Sequence, residues 1–305
     1  TMTTKKLVSL VGEQPLSTLL PIRYLKPDEV LFVGSRQLHA VSQHLQVLVG
    51  KECPVHLTEL RNAYDPPAIR RQLSKKIRKL GWRPEEITCD LSGGNKVMAI
   101  TVFAIAMDHL RTLVDMEFVR RRHYLRQYRI EDGQATLVED LALPSLITIS
   151  DYLNAHAPGF SVDGYGRDKR GRINAGGKFE STIFQALEPN VDEIMAGVRP
   201  GGVSKQIEID LVLRIGNNVG LVEAKTGLNK AGIDQLDTAG NPVYLGKYAT
   251  KFLVTGRYLP RAHKALATSQ HIHVVELPGY TVGQRLPGQE ERRLVQSFQS
   301  ALGRR

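Results

Sequence analysis

Ile207-Glu208-Ile209-Asp210-Leu211-Val212-Leu213 and Val219-Gly220-Leu221-Val222-Glu223-Ala224-Lys225 are two short apolar runs separated by Gly216-Asn217-Asn218. In the first run Ile207, Ile209, Leu211 and Leu213 alternate onto one face, and Glu208 and Asp210 start on the other. Glycine and asparagine stand where a tight reversal needs them, so the spacing predicts a β-hairpin ending at Thr226-Gly227. Such a hairpin gathers Asp210, Glu223 and Lys225, because residues two apart on a strand share a face. Two carboxylates at one spot repel, and one takes up a proton unless a cation holds both ionised. Oxygen-only ligation suits Mg²⁺ or Mn²⁺ better than zinc. A lysine beside the ion orients or deprotonates water, while the ion polarises a phosphoryl oxygen. Those are the parts of a metal-dependent phosphodiesterase, with Asp210 and Glu223 as metal ligands. The alternative is an exposed hairpin whose charges are merely solvated.

The hairpin resembles the PD-(D/E)xK nuclease family. Asp210 matches the first acid of that family, and Glu223-Ala224-Lys225 matches its E-x-K on the following strand. Gly177-Lys178-Phe179-Glu180 opens a predicted helix, and Glu180 corresponds to an acid that many members carry there. The resemblance implies a restriction-endonuclease-like α/β domain in which Glu180, Asp210, Glu223 and Lys225 are catalytic. The pair before the loop is Ile209-Asp210 in place of Pro-Asp. Lys230–Ala239 is a predicted helix, and the resemblance makes its Gln235 a candidate for holding the attacking water or a phosphate. A plain surface glutamine is the other reading.

Upstream, apolar strands alternate with helices. Strands are expected at Lys5–Val11, Glu29–Val33, Cys53–Leu57 and Ile87–Leu91. Helices are expected at Ser17–Tyr24, after Ser35, after Asp65-Pro66-Pro67 and over 97–111. This alternation argues for a mainly parallel, Rossmann-like sheet, in which ligands sit at the carboxyl ends of strands. Two loops occupy such positions: Val11–Pro15 and Ser92–Lys96. Gly93-Gly94 lets backbone N–H groups approach an anion, the helix start favours negative charge, Lys96 adds a cation, and Gln14 can hydrogen-bond a base or ribose. A tight strand-to-helix turn without a ligand remains the alternative. Neither G-x-G-x-x-G nor G-x-x-x-x-G-K-[ST] is present, which weakens NAD and P-loop NTPase readings.

Gly12-Glu13-Gln14-Pro15 and Leu91-Ser92-Gly93-Gly94-Asn95-Lys96 together make residues 1–145 similar to a CARF domain, the sensor of CRISPR-associated effectors. Members usually carry T-G-G-T-K in the second loop, and here Ser92 and Asn95 replace the threonines. The resemblance implies cyclic oligoadenylate, most often the tetra-adenylate, bound across a homodimer by Gly12, Glu13, Gln14, Pro15, Gly93, Gly94, Asn95 and Lys96. With the nuclease resemblance, it implies an activated endonuclease of type III CRISPR antiviral defence cutting DNA, RNA or both. Residues 146–176 read as a connector and 177–305 as the nuclease domain. A constitutive repair or restriction nuclease, and a non-catalytic nucleotide-responsive regulator that binds nucleic acid, stay open.

Bulk properties agree with a two-domain protein: 305 residues leave room for two, and the net charge of +10 favours a polyanionic partner. No apolar run nears the ~20 residues a membrane span needs. No signal peptide is legible, and Cys53 and Cys89 read as buried thiols of a cytoplasmic protein. Glu117–Val138 interleaves arginines with aromatics, which suits either a phosphate-contacting track or the solvated face of an edge hairpin. Ala157–Gly177 reads as an exposed glycine-rich basic loop, and 189–202 as connector with some helix. Strands are expected at Phe252–Thr255 and His273–Glu276, and an amphipathic helix that packs or dimerises at Gln289–Arg305. His263, His271 and His273 read as structural or surface residues.

Overall fold

The computed structural model describes residues 6–110, 112–202, 207–227, 231–240, 245–246 and 249–303. Of the sequence expectations, Lys5, Arg111, Lys230 and the terminal arginines at 304–305 lie outside them. The chain divides into two compact units, 1–146 and 147–305.

Within the first unit the elements are β1 (Lys6–Leu10), α1 (Pro15–Leu25), β2 (Glu29–Ser35), α2 (His39–Val49), β3 (Val55–Leu60), α3 (Pro66–Leu80), β4 (Ile87–Asp90), α4 (Lys96–His109), β5 (Thr112–Val119), β6 (Arg122–Glu131) and β7 (Gln134–Ala142). Among the described residues they form a seven-stranded sheet in the order β3-β2-β1-β4-β5-β6-β7. The first five strands pair in parallel, and β6 and β7 add an antiparallel meander. Parallel strands covered by helices need apolar residues on both faces, and β1, β2 and β4 are buried nearly throughout. α3 starts where Asp65 accepts from the Ala68 N–H and stops at left-handed Gly81. The sequence places its basic residues outward, leaving Ile69 and Leu73 in the core.

Two expectations change in this unit, the Ser35 cap and the burial of Cys53. Ser35 makes no side-chain cap, and a single 3-10 turn (Arg36–Leu38) precedes α2. Cys53 is half-buried, at the surface end of the β3 approach, whereas Cys89 is fully buried. α4 is apolar all round, and Ile100 and Phe103 are exposed.

The second unit contains α5 (Ile149–His156), β8 (Phe160–Val162), α6 (Ala175–Leu187), β9 (Glu193–Pro200), β10 (Ile209–Ile215), β11 (Asn218–Lys225), α7 (Ala231–Ala239), β12 (Thr250–Thr255), α8 (Arg261–Ser269), β13 (Ile272–Glu276) and α9 (Gly288–Leu302). Its six described strands run in the order β13-β12-β11-β10-β9-β8. β8 to β11 are antiparallel neighbours, while β11, β12 and β13 are parallel. The expected connector over 146–176 therefore carries α5 and β8 of this unit, and the connector at 189–202 is largely strand. Gly197 and Pro200 hid that strand, since proline weakens a strand reading and Gly197 lies at φ +64° against Gly164. α9 packs inside its own unit: Phe298 stacks on Phe252 with centroids 3.9 Å apart.

One close approach fixes the first unit. A Cβ on Gly93 would lie 2.0 Å from the Leu10 carbonyl oxygen, whereas a Cβ on Gly81 meets nothing within 4 Å. Gly93→Ala is expected to destabilise this unit by at least ~2 kcal/mol, against ~1 kcal/mol of left-handed strain for Gly81→Ala. Trp82 is the only tryptophan and is buried in this unit, so its fluorescence during urea unfolding reads both values.

Candidate active site and ligand loops

β10 and β11 are joined by Gly216-Asn217, with Gly216 at φ +62° and Ile215 paired to Asn218. Leu211 stands opposite Val222, so the register carried one pair further sets Asp210 across from Glu223. Opposed residues of an antiparallel pair share a face, and Lys225 follows two places after Glu223. Both strands are buried on both faces, because helices cover the sheet; the outward face of a solvated hairpin does not exist here. The acids are thus drawn inside. Glu223 is 2% exposed, and the Asp210 and Lys225 side chains are 13% and 27% exposed.

The contacts follow from that enclosure. Lys225 Nζ forms an ion pair with Glu223 Oε1 and lies 3.9 Å from Asp210 Oδ2. Asp210 Oδ2 accepts from the Ala224 N–H at 2.7 Å. Glu223 Oε1 is buried and has no well-directed hydrogen bond. Burial raises the Asp210 pKa, with Lys225 and the Ala224 N–H opposing. The Glu223 pKa is raised as well, by burial and then by the Asp210 charge. Burial works against the charge of Lys225, but Glu223 and Asp210 outweigh it and its pKa rises. The arrangement is an acid pair short of positive charge.

Glu180 reaches this cluster from α6, one turn beyond the Asn174 cap, whose side chain accepts from the Gly177 N–H. It is buried and accepts from the Gly166 N–H at 2.9 Å. Burial raises its pKa, and the Asp210 charge adds to that while the Gly166 bond opposes it. The fold therefore brings together Glu180, Asp210, Glu223 and Lys225. Gln235 lies exposed on α7, whose buried Gly232 would carry a Cβ 3.2 Å from Glu223 and Lys225 carbons. Among the described residues no three His, Cys, Asp or Glu side chains make a metal cluster by themselves. Asp210 and Glu223 are a two-carboxylate, all-oxygen donor set, the kind that suits an ion keeping several waters.

In the first unit the loops after β1 and β4 are neighbours, at the place where the strand order reverses direction. A Cβ on Gly12 would sit 3.1 Å from the Gly94 nitrogen, so the two loops touch through backbone. Glycine at 93 is accounted for by this packing. The Asn95 side chain is committed too: it accepts from the Met98 N–H at 2.9 Å and donates to the Ala63 carbonyl at 3.2 Å. Gly94 is left-handed at φ +73°. Glu13 and Lys96 are exposed, Gln14 is half-buried, and Pro15 opens α1.

Beneath these loops lies a feature the sequence reading missed. Asp90 is fully buried; Ser9 Oγ and Ser92 Oγ each donate to it at 2.5 Å, and the Ser92 N–H at 3.0 Å. Ser92 Oγ in turn accepts from the Met116 N–H at 2.8 Å. A lone acid closing the apolar run Ile87–Leu91 was the available signal.

No protein-family model matches the sequence, and comparison with curated proteins finds no match either. Solved structures do match. Can2 from Sulfobacillus thermosulfidooxidans in complex with cyclic tetra-adenylate aligns over 98% of this chain and 99% of its own, at 14% identity and TM-score 0.73. Protein VC1899 from Vibrio cholerae aligns over the same shares at 14% identity and TM-score 0.75. The chain shares their fold from end to end. A type III CRISPR defence DNA nuclease activated by cyclic oligoadenylate aligns over 95% of this chain and 51% of its own, at 15% identity and TM-score 0.64.

Burial lifts the Asp90 pKa to about 7, with the serine bonds opposing and Asp115 adding to it. Between the ordinary carboxylate value and 7 the folded state holds a proton that the unfolded state has released, so Asp90 lowers stability as pH rises through that window. His44 and His123, held below their ordinary value by burial, act in the opposite sense, His123 over an overlapping window that opens at about 4. Asp90→Asn is therefore expected to remove a fall of ~1 kcal/mol per pH unit between pH 5 and 7, seen as the difference between variant and wild-type Trp82 unfolding curves.

Proposed function

We propose that the chain is a homodimeric endonuclease of type III CRISPR defence, switched on by a cyclic oligoadenylate and dependent on Mg²⁺ or Mn²⁺. The observation that carries this reading is the buried Asp210–Glu223–Lys225 arrangement at the open end of β10 and β11. The second unit is then a PD-(D/E)xK domain and the first a CARF sensor. The shared fold with Can2 and with the cyclic-oligoadenylate-activated nuclease supports both assignments.

Asp210 and Glu223 would hold the ion: both carboxyls are buried, and Lys225 is the one ammonium paired with them. Such an ion would supply positive charge for the scissile phosphate and lower the pKa of a bound water. Lys225, freed from sole duty to Glu223, orients the attacking water and stabilises charge developing on the phosphate. Glu180, held in place by the Gly166 N–H, adds negative charge to the cluster. Gln235 faces solvent, where it reaches a bound phosphate or water. The Gly12–Pro15 and Gly93–Lys96 loops cradle the activator by backbone N–H groups, with Lys96 facing its phosphates and Gln14 a base. Across a dimer, the activator works by binding the cleavage-competent arrangement more tightly than the idle one. The exposed Ile100 and Phe103 of α4 give a second copy an apolar face to cover.

Cleavage of labelled RNA and plasmid DNA in Mn²⁺, with a panel of cyclic oligoadenylates, tests this reading. Asp210→Asn and Lys225→Ala are expected to lower the rate by ~10³ while leaving cyclic tetra-adenylate affinity intact. Lys96→Ala is expected to raise the activator concentration needed, with the fully activated rate kept. Joint loss of both functions in every variant contradicts the two-site account.

A further inference from the structure

Residues 164–173, Gly-Tyr-Gly-Arg-Asp-Lys-Arg-Gly-Arg-Ile, form a finger whose root lies in the candidate active site. Three contacts fix that root. The Gly166 N–H donates to Glu180 Oε2, the Gly166 carbonyl accepts from the Asn174 N–H at 3.0 Å, and the Tyr165 ring sits edge-on to Phe184. A Cβ on Gly177 would lie 2.1 Å from the Gly166 oxygen, so the finger base and the start of α6 are packed backbone to backbone.

The tip is stitched to itself. Arg167 bridges Ile173, the Asp168 N–H donates to the Arg172 carbonyl at 2.8 Å, and Arg167 Nη1 donates to the Gly171 carbonyl at 2.7 Å. Asp168 Oδ1 accepts from the Arg170 and Arg172 N–H groups, and its Oδ2 from Arg172 Nε at 3.1 Å. The only acid of the tip is thus consumed in holding its shape, and backbone donation from Arg172 leads in keeping the Asp168 pKa low. Lys169 and Arg170 are exposed, and neither side chain has a partner among the described residues. The loop is thus ordered from a root bonded to Glu180 to a tip that carries two exposed cations.

We propose that this finger is the nucleic-acid clamp of the second unit: Lys169 and Arg170 grip backbone phosphates and place the strand over Asp210, Glu223 and Lys225. The inference rests on the nuclease reading for the cleavage step, but the grip itself is separable from cleavage. A pre-ordered cation loses less freedom on binding than one on a loose loop. Each phosphate contact releases counterions, so the clamp has a signature in salt.

The test uses the full chain and a fluorescein-labelled single-stranded DNA 20-mer. Anisotropy titrations run from low to moderate salt in Ca²⁺, with and without cyclic tetra-adenylate; cleavage is followed separately in Mn²⁺. Lys169→Ala/Arg170→Ala is expected to weaken binding about tenfold and to reduce the slope of log affinity against log salt by ~1.4, two contacts at ~0.7 each for a single strand. The charge-keeping exchange Lys169→Arg/Arg170→Lys is expected to restore the slope, which a folding defect would not allow. Unchanged affinity and slope in the double alanine variant, or no salt-dependent binding by the wild type, overturns the clamp. Wild-type binding without any cut in Mn²⁺ with the cyclic oligoadenylate panel present overturns the nuclease reading and leaves the clamp standing.

Discussion

Two carboxyl groups and an ammonium enclosed at one end of a hydrogen-bonded strand pair set the conditions for the second unit. The enclosure is a matter of register. Leu211 opposite Val222 leaves Asp210 and Glu223 no choice but to share a face, and the two-residue turn at Gly216-Asn217 fixes that register. Helices over the sheet then exclude water from the acids and push both pKa values up. Lys225 relieves part of the conflict, but one ammonium cannot balance Glu180, Asp210 and Glu223 together. A site of this kind is incomplete in charge, and whatever enters it, proton or cation, completes it.

The first unit obeys a different constraint. The loops after β1 and β4 are shaped by backbone contact between Gly12 and Gly93-Gly94, which places both at the strand-order reversal between β1 and β4. Asn95 spends its side chain capping α4, so the loop offers backbone and Lys96 to an anion, not a row of side chains. Asp90 and its serines tie the loop base to β1, β4 and β5. A shift of one loop therefore strains the other.

The hairpin and the strand–helix alternation were legible because alternation, turn chemistry and caps are local signals. So were Asp210, Glu223 and Lys225, whose spacing reads directly as one face. Glu180 was legible only through the family resemblance; its neighbour Gly166 lies fourteen residues away, and no period links them. β9 was lost because Gly197 and Pro200 are breakers in sequence, and only the contact with Gly164 shows why a glycine belongs there. The 164–173 finger looked like a solvated loop because its order comes from Asp168 bonding backbone groups, which composition does not carry. Gln235 was placed on the right helix, but the sequence did not show that it faces solvent.

Asp210 and Glu223 are proposed to share a divalent ion. Anomalous diffraction at the manganese edge from crystals soaked in Mn²⁺ measures it most directly. One peak is expected between Asp210 and Glu223, in bonding distance of an oxygen from each, with Lys225 moved off Glu223. Fully soaked crystals in which Lys225 still rests on Glu223 and no peak lies between the acids would contradict it.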